Sequence, residues 1–274
     1  MERLVRAHDE GVRRYQSPLR EQSASRTRQA IVTAAHELFT AQGYAATSLA
    51  DIAAAAGVAR PTAFAAFGSK PALLRQVLDQ ALAGDDEPIP IAQRPWFQPV
   101  WQAWTPAAAL DAYAGVCTLI NSRAARIFEV VRRAADQAPD IAELWDTLLR
   151  NRRAGARMVT EHAASLGPLA AGLDTDHATD ILWIFNDPAH YDTLVARCGW
   201  PEPRYTSWLS SQIRHALLPA ESSTNHGLPP DAGGASGHAV YHPRGRTNGG
   251  LPFATTAFRE LTASAVTVVT RPRR

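Results

Sequence analysis

The stretch that most constrains the fold is TSLADIAAAAGVARPTAFAAF, residues 47–67, which predicts two short helices joined by a tight turn. Ser48 and Asp51 have the spacing of a capping box, so a helix is expected to begin there. Gly57 is expected to end it, because glycine readily adopts the left-handed conformation. Pro61 suits the first turn of a second helix, where its missing N–H breaks no hydrogen bond. Together these signals predict a helix-turn-helix, whose second helix enters the DNA major groove.

The flanking sequence predicts one further helix on each side. Before the motif, apolar residues from Ile31 to Leu38 fall at i, i+3, i+4 and i+7, the spacing of one helical face, in a helix expected to end at Gly43. After the motif, Ser69 can cap a helix whose first turn holds Lys70. A small helical domain over residues 25–82 is therefore expected.

Within this domain the residues shared with one known family keep their spacing without gaps: Ile31 to Phe39, Gly43-Tyr44, Thr47-Ser48, Asp51-Ile52-Ala53, Ala56-Gly57-Val58, Thr62, Phe67, Ser69-Lys70 and Ala72-Leu73-Leu74. In these residues the chain resembles the TetR family of helix-turn-helix transcriptional regulators. The resemblance implies a homodimer that reads a palindromic operator in double-stranded DNA. It also implies a C-terminal helical domain that binds a small molecule and releases the DNA.

The sequence departs from the family at Ala59, Ala65 and Ala66, where serine, tyrosine or histidine are common, so fewer hydroxyl contacts to phosphate are expected. Base contacts are predicted for residues at the start of the recognition helix: Arg60, Thr62 and Ala63. Phosphate contacts are predicted for residues around it: Arg26, Arg28, Tyr44, Thr47, Ser69 and Lys70. For Arg60 a phosphate contact is an equal alternative. Tyr44, Phe64 and Phe67 are interpreted as core residues, because proteins that bind duplex DNA rarely stack on its bases; the Tyr44 hydroxyl can still reach a phosphate.

The whole chain is predicted to be all-α, with five segments. Residues 1–24 are expected to be a disordered or partly helical extension, residues 83–106 a proline-rich connection, and residues 219–274 a disordered tail. Residues 107–218 predict a C-terminal antiparallel helical bundle. Its helices are expected at 107–119, 122–136, 140–166, 174–187, 188–198 and 202–218.

Large apolar side chains in this bundle and in the connection before it suggest two sites. The last helices carry the residues predicted to form a four-helix dimer interface, as the family resemblance implies: Leu182, Trp183, Phe185, Tyr205, Trp208, Leu209 and Ile213. A pocket for a small, largely apolar ligand is predicted to be lined by Trp101, Trp104, Tyr113, Phe128, Trp145 and Met158. Core packing is the alternative for both sets. The aromatics of the connection, Trp96 and Phe97 among them, are expected to pack on the second domain.

Charge and composition favour no other class of function. The 28 basic and 26 acidic residues leave a formal charge of +2, so any DNA-binding surface must be local. No apolar run reaches the ~18 residues of a membrane span, and Cys117 and Cys198 are interpreted as reduced core thiols, so a cytoplasmic protein is expected. No catalytic residue, metal site or cofactor is predicted. A helical-bundle enzyme and a protein-interaction module that kept the helix-turn-helix stay open as alternatives.

Overall fold

The computed structural model describes residues 18–220, so the predictions for residues 1–17 and 221–274 lie outside it. The described part is helical and contains α1 Pro18–Ala46, α2 Leu49–Ala55, α3 Arg60–Phe67, α4 Lys70–Ala83, α5 Gln98–Trp101, α6 Pro106–Ala135, α7 Pro139–Leu166, α8 Thr175–Phe185, α9 Pro188–Tyr191 and α10 Glu202–Leu217. Two 3-10 turns, Ile91–Gln93 and Pro95–Phe97, precede α5, and a π-helical segment, Asp192–Arg197, follows α9. No helix between residues 18 and 220 has the length and apolarity of a membrane span.

The chain divides into two compact units that do not coincide with the predicted segments. Among the described residues, the first unit contains 18–86 together with Gly115–Arg152 and Asn186–Ser207. The second contains Glu87–Ala114, Arg153–Phe185 and 208–220. Helices α6 and α7 each contribute to both units, so the predicted boundary at residue 107 does not separate them.

One hydrophobic core explains why the first unit extends beyond α1–α4. Ile31 of α1, Ile52 of α2 and Leu74 of α4 are fully buried, and the same cluster includes Ile127 of α6 and Ile141 of α7. Apolar burial of this kind contributes about 25 cal/mol per Å² removed from water. The helix-turn-helix domain is therefore packed on α6 and α7 within a single core.

The first helix is longer than its sequence signals predicted. It begins at Pro18, so the predicted boundary after residue 24 falls inside α1. Gly43 interrupts the helical conformation (φ 85°, ψ 170°), where the helix was expected to end, and the element continues to Ala46. Glycine tolerates this positive φ, which an L side chain resists.

The prediction of separate helices at 107–119 and 122–136 is wrong, because α6 is continuous over 30 residues. The predicted break fell at residues 120 and 121, and asparagine, which stands at 121, has weak helix propensity. In the structure Asn121 is 3% exposed, and the Ser122 hydroxyl donates to the Leu119 carbonyl at 2.9 Å without breaking the helix. Burial of the apolar face outweighs the local preference. The later helices agree with their predicted bounds to within about two residues, apart from the change to π-helix after Tyr191.

The two cysteines have different surroundings. Cys117 is buried, as expected of a core thiol, whereas Cys198 is exposed, and its prediction as a core residue is wrong. Cys198 directly follows the π-helical segment, where a wider turn changes which side chains face inward.

Candidate DNA-binding surface

The α2–turn–α3 unit is held by the local signals that predicted it. The Ser48 hydroxyl accepts from the Asp51 N–H at 3.1 Å, and the Asp51 carboxylate accepts from the Ser48 N–H at 3.0 Å. These bonds with Ser48 lower the pKa of Asp51 below its ordinary value. Gly57 has φ 68°, and the next N–H, of Val58, donates to the Ala53 carbonyl at 2.9 Å. The predicted helix-turn-helix is confirmed.

Helix α3 presents a different face from the one predicted. Arg60 and Thr62 are exposed, but Ala63 is fully buried, so the predicted base contact by Ala63 is wrong. Phe67, one helical turn after Ala63, packs against the core as expected. Phe64 is 60% exposed, and its prediction as a core residue is wrong. Successive helical residues turn by about 100°, so Phe64 cannot share the inward direction of Ala63.

Lys70 joins the start of α4 to the end of α1. Its ammonium donates to the carbonyls of Tyr44 and Thr47, both at 2.8 Å, and lies 4.1 Å from the centre of the Tyr44 ring. Burial lowers the pKa of Lys70. Carbonyls at a helix C-terminus lack intrahelical donors and carry partial negative charge, so a cation there stabilises the joint. A phosphate contact by Lys70, as predicted, would therefore use the same ammonium group that makes these two structural hydrogen bonds.

Arg28 makes an equivalent connection to the end of α3. Its guanidinium donates to the Ala66 carbonyl at 2.7 Å and lies 4.6 Å from the centre of the Phe67 ring. Arg26, two residues earlier in α1, is exposed. Of these two arginines, Arg26 is exposed, whereas the guanidinium of Arg28 is bonded to α3.

The remaining predicted phosphate contacts also differ from one another. Thr47 is 1% exposed, and its hydroxyl donates to the Gly43 carbonyl at 2.8 Å, so the predicted phosphate contact by this side chain is wrong. Ser69 is exposed and accepts from the Ala72 N–H at 3.2 Å as the N-cap of α4. Tyr44 packs on Phe39, with 5.8 Å between ring centres. Its ring is half-buried, and burial raises its pKa.

Two arginines of α6, which the sequence analysis did not single out, reach the same domain. Arg123 donates to the Leu82 carbonyl in the last turn of α4 at 3.2 Å, and Arg126 donates to the Thr40 carbonyl of α1 at 3.4 Å. The Arg123 guanidinium also lies against Gly84, which follows α4 with φ 95°. No sequence signal identifies these partners, because each lies 41 or more residues away along the chain.

Sequence comparison bears on the same domain. Residues 31–77, from α1 into α4, match the family model described as bacterial regulatory proteins, tetR family. Through this match, the helix-turn-helix domain is similar to that of the TetR family. Proteins of this family are DNA-binding transcriptional regulators, and the resemblance seen in the sequence is confirmed. A comparison with curated protein sequences finds no match.

Solved structures extend the TetR likeness to most of the described chain. NalD of Pseudomonas aeruginosa, the secondary repressor of the MexAB-OprM multidrug efflux pump, has a TM-score of 0.55 at 19% identity, covering 72% of this chain and 98% of its own. A TetR transcriptional regulator of Chloroflexus aurantiacus has a TM-score of 0.54 at 18% identity, with coverages of 72% and 98%. A Saccharomonospora viridis protein in complex with choline has a TM-score of 0.56 at 18% identity, with coverages of 71% and 98%. At these identities the likeness establishes the all-α TetR-like fold.

Some residues of the predicted dimer interface are already buried within one chain, and others are exposed. Four of its members are fully buried within the chain and cannot face a second copy: Leu182, Tyr205, Leu209 and Ile213. For these four the prediction is wrong, because helical spacing identifies an apolar face but not the partner that covers it. Trp183, Phe185 and Trp208 are partly exposed. Ile184, which the prediction omitted, is 60% exposed on α8.

The six predicted ligand-contact residues have three kinds of surroundings. In the second unit Trp101 and Tyr113 both contact Phe97, with ring centres 5.1 and 6.3 Å away, while Met158 is partly buried on α7. In the first unit Phe128 and Trp145 pack edge to face at 4.9 Å in the core cluster. Trp104 is 92% exposed, so its predicted packing is wrong.

A cleft of about 350 Å³ in the first unit is lined by other residues of α1, α6 and the π-helical segment. Charged side chains dominate its lining: Arg126, Glu129, Arg133, Asp192 and Arg197. Glu129 accepts from Arg132 and Arg133, which lower the pKa of its carboxyl to about 2. Such a lining does not suit an apolar ligand.

Proposed function

We propose that this protein is a homodimeric repressor that binds a palindromic operator and is released by a small, largely apolar ligand. The outward face of α3 carries this proposal. Arg60 and Thr62 are exposed at the start of a helix that buries Ala63 in the core. A helix presented in this way fits the major groove, where arginine pairs with guanine and threonine offers a hydroxyl or a methyl group.

Phosphate contacts from Arg26, Ser69 and Lys70 would set the position of α3 in the groove. Arg26 and Ser69 are exposed, and Lys70 keeps one ammonium hydrogen beyond its bonds to Tyr44 and Thr47. Contacts to phosphate fix the register of a protein on DNA and make its affinity depend on salt.

Two copies related by a twofold axis would match the symmetry of a palindrome, with their recognition helices about 34 to 36 Å apart. The exposed Ile184, with Trp183 and Phe185 beside it on α8, supplies an apolar surface for that contact. Ile184→Glu is expected to shift the dimer to monomer in sedimentation velocity and to weaken operator binding. A variant that stays dimeric would place the interface elsewhere.

Ligand release would act through α6. Arg123 and Arg126 bond to carbonyls of α4 and α1, so a displacement of α6 would move both helices that carry α3. Typical couplings of about 1 to 3 kcal/mol give roughly 5- to 150-fold release. Among the predicted ligand contacts we retain Trp101 and Tyr113, which lie in one aromatic cluster. The Saccharomonospora viridis structure, in complex with choline, supports small-molecule binding in this fold.

The test is selection of bound sequences from a random duplex pool with the full chain, at one stated salt concentration. A single recovered palindrome would support the proposal. Arg60→Ala is expected to cost about 1 to 3 kcal/mol and to relax the preference at one base position. Arg150→Ala, which removes an exposed arginine of α7, is the matched control and should bind like the wild type.

Other outcomes of the selection assign different roles. An equal loss by Arg60→Ala on all sequences would make Arg60 a phosphate contact. Recovery of no sequence by a folded dimer would overturn operator binding and favour the protein-interaction or enzyme alternatives.

A further inference from the structure

The recognition helix exposes an aromatic side chain that the core does not use. Phe64 lies in the middle of α3 and is 60% exposed, while its neighbour Ala63 is fully buried. A single exposed apolar residue is common on protein surfaces. The position of Phe64 suggests a role in DNA binding, because α3 is the helix proposed to enter the major groove.

The outward face of α3 combines small residues with this one ring. At about 100° per residue, Pro61 and Ala65 point most directly away from the buried side, and Phe64 lies beside them on the same side as Arg60. All four are exposed. Small residues at the outermost position let the helix backbone approach the base edges closely, so the ring of Phe64 is within reach of them.

The chemistry of the ring limits what it can contact there. Phenylalanine has no hydrogen-bond donor or acceptor, so it cannot satisfy a phosphate oxygen or a polar base edge. The apolar group on base edges in the major groove is the C5-methyl group of thymine. We propose that Phe64 packs on a thymine methyl group in each operator half-site and makes thymine part of the recognised sequence. This inference rests on the operator binding proposed above.

The spacing within α3 places that thymine. Arg60 and Phe64 are four residues apart, which is about 6 Å along the helix axis. Base pairs are separated by about 3.4 Å. The thymine is therefore expected within about two base pairs of the guanine that Arg60 reads.

Uracil substitution tests the contact directly. Each thymine of the selected operator is replaced in turn by uracil, which keeps base pairing and removes only the methyl group, and affinity of the full chain is measured at fixed salt. At the contacted position the wild type should lose about fourfold per methyl group, the value of one buried CH₂. Phe64→Ala should bind the thymine and uracil operators equally.

Two controls assign the effect to the ring. Phe64→Tyr keeps an aromatic ring and should retain the preference for thymine. Thr62→Ala, which removes a neighbouring methyl group, should leave the loss on uracil substitution unchanged at the Phe64 position. Thermal unfolding of Phe64→Ala should match that of the wild type, because the side chain is mostly exposed.

Several results would overturn the inference. The wild type could bind the uracil operator without loss, or Phe64→Ala could lose affinity equally on both operators, which would place the ring on the sugar-phosphate backbone or on protein. A selected operator without thymine near the guanine would contradict it as well. Failure to select any sequence would overturn operator binding first, and would be seen before uracil is used.

Discussion

Cationic side chains have different partners in the helix-turn-helix domain and in the α7–α8 pair of the second unit. In the first region Lys70 and Arg28 donate to backbone carbonyls at the ends of α1 and α3. In the second, Arg153 and Arg157 pair with carboxylates on α8, at 2.7 and 2.8 Å. In the helix-turn-helix domain, the acceptors are backbone carbonyls with fixed positions. In the α7–α8 pair, both partners are flexible side chains at the surface.

The difference shows where charge contributes to stability. A carbonyl at a helix end is held in place by the backbone and lacks an intrahelical donor. A hydrogen bond from a cation to this carbonyl therefore needs only one flexible side chain to be ordered, and it satisfies an acceptor that would otherwise lack a partner. An exposed ion pair must order two long side chains and is screened by salt, so it contributes about 0 to 1 kcal/mol. The domain that must hold α3 in position uses the first kind of contact.

The strongest test of this comparison is Lys70→Met, which keeps a flexible side chain of similar length and removes the ammonium group. Because two carbonyls lose a charged donor, the free energy of unfolding should fall by about 3 kcal/mol in urea titrations. Arg26→Ala, which removes an exposed cation from α1, should change it by less than about 0.5 kcal/mol. Equal effects of the two variants would remove the distinction between carbonyl-bound and free cations.

The same variant tests DNA contact separately. If Lys70 also neutralises a phosphate, Lys70→Met should lower the slope of log affinity against log salt by about 1. An unchanged slope would leave Lys70 with its structural bonds alone.

Asp79 allows a second test in the same domain, because it is a carboxyl group in the region where cations stabilise the fold. Burial raises its pKa to about 6, although the charge of Arg75 opposes the shift. The carboxyl group of Asp79 therefore holds its proton more tightly in the folded protein than in the unfolded chain. The contribution of Asp79 to the free energy of unfolding is most favourable below about pH 4 and is lost as the pH rises through about 6.

Asp79→Asn should thus raise the free energy of unfolding by about 3 kcal/mol at pH 7 and have little effect at pH 4. Urea unfolding of both proteins from pH 4 to 7 measures the difference directly. A gain that does not depend on pH would attribute the effect to packing and not to the charge.

Gly84→Ala tests the contact that α6 makes with the end of α4. A Cβ atom at Gly84 would lie 2.1 Å from Nη1 of Arg123, and the residue has φ 95°. The left-handed conformation alone costs an L residue about 1 to 2 kcal/mol, and Arg123 would have to leave the Leu82 carbonyl. We expect a loss of about 1.5 kcal/mol in thermal or urea unfolding.

Gly115→Ala in α6 is the matched control, since a Cβ atom there has no neighbour within 4 Å. It should stabilise the protein by about 0.5 to 1 kcal/mol, because alanine favours a helix more than glycine does. A similar response of both glycines would contradict the role of Arg123.

The smallest effect is expected for Arg157→Ala in the α7–α8 pair. Arg157 bonds Glu161 and Asp176, both at 2.8 Å, but its side chain is 47% exposed. The midpoint of urea unfolding should stay within experimental error of the wild-type value, and the change should be smaller still at high salt, because the ion pairs are exposed and screened. A loss as large as that of Gly84→Ala would show that the surface network stabilises the fold as strongly as the contact between α4 and α6.

The elements of the DNA-binding domain were predictable because their signals act within a few residues. Ser48 and Ser69 cap the helices that follow them, Gly57 has the positive φ expected of a turn, and Pro61 lies in the first turn of α3. Each of these preferences depends on the backbone next to the residue. The bounds of α2, α3 and α4 therefore followed from sequence.

The direction in which side chains point was less predictable. Phe64 was expected inside and is exposed, while Ala63 was expected on DNA and is buried. Leu182 was assigned to a dimer interface and lies in the core of one chain, and Trp104 was assigned to a pocket and is 92% exposed. Apolar spacing identifies a helical face, but the packing partner decides whether that face meets the core, a second chain or solvent.

Local sequence signals were enough to predict the helix-turn-helix, its caps and its resemblance to the TetR family, because each of these depends on neighbouring residues. The fold, and not the local sequence, sets the bond of Lys70 to the carbonyl of Tyr44, 26 residues earlier, and that of Arg28 to the carbonyl of Ala66, 38 residues later. It also decided that Phe64 faces outward from α3. A cation can bond any carbonyl that the fold brings near it. The separation of two residues along the chain therefore does not predict which carbonyl becomes the partner.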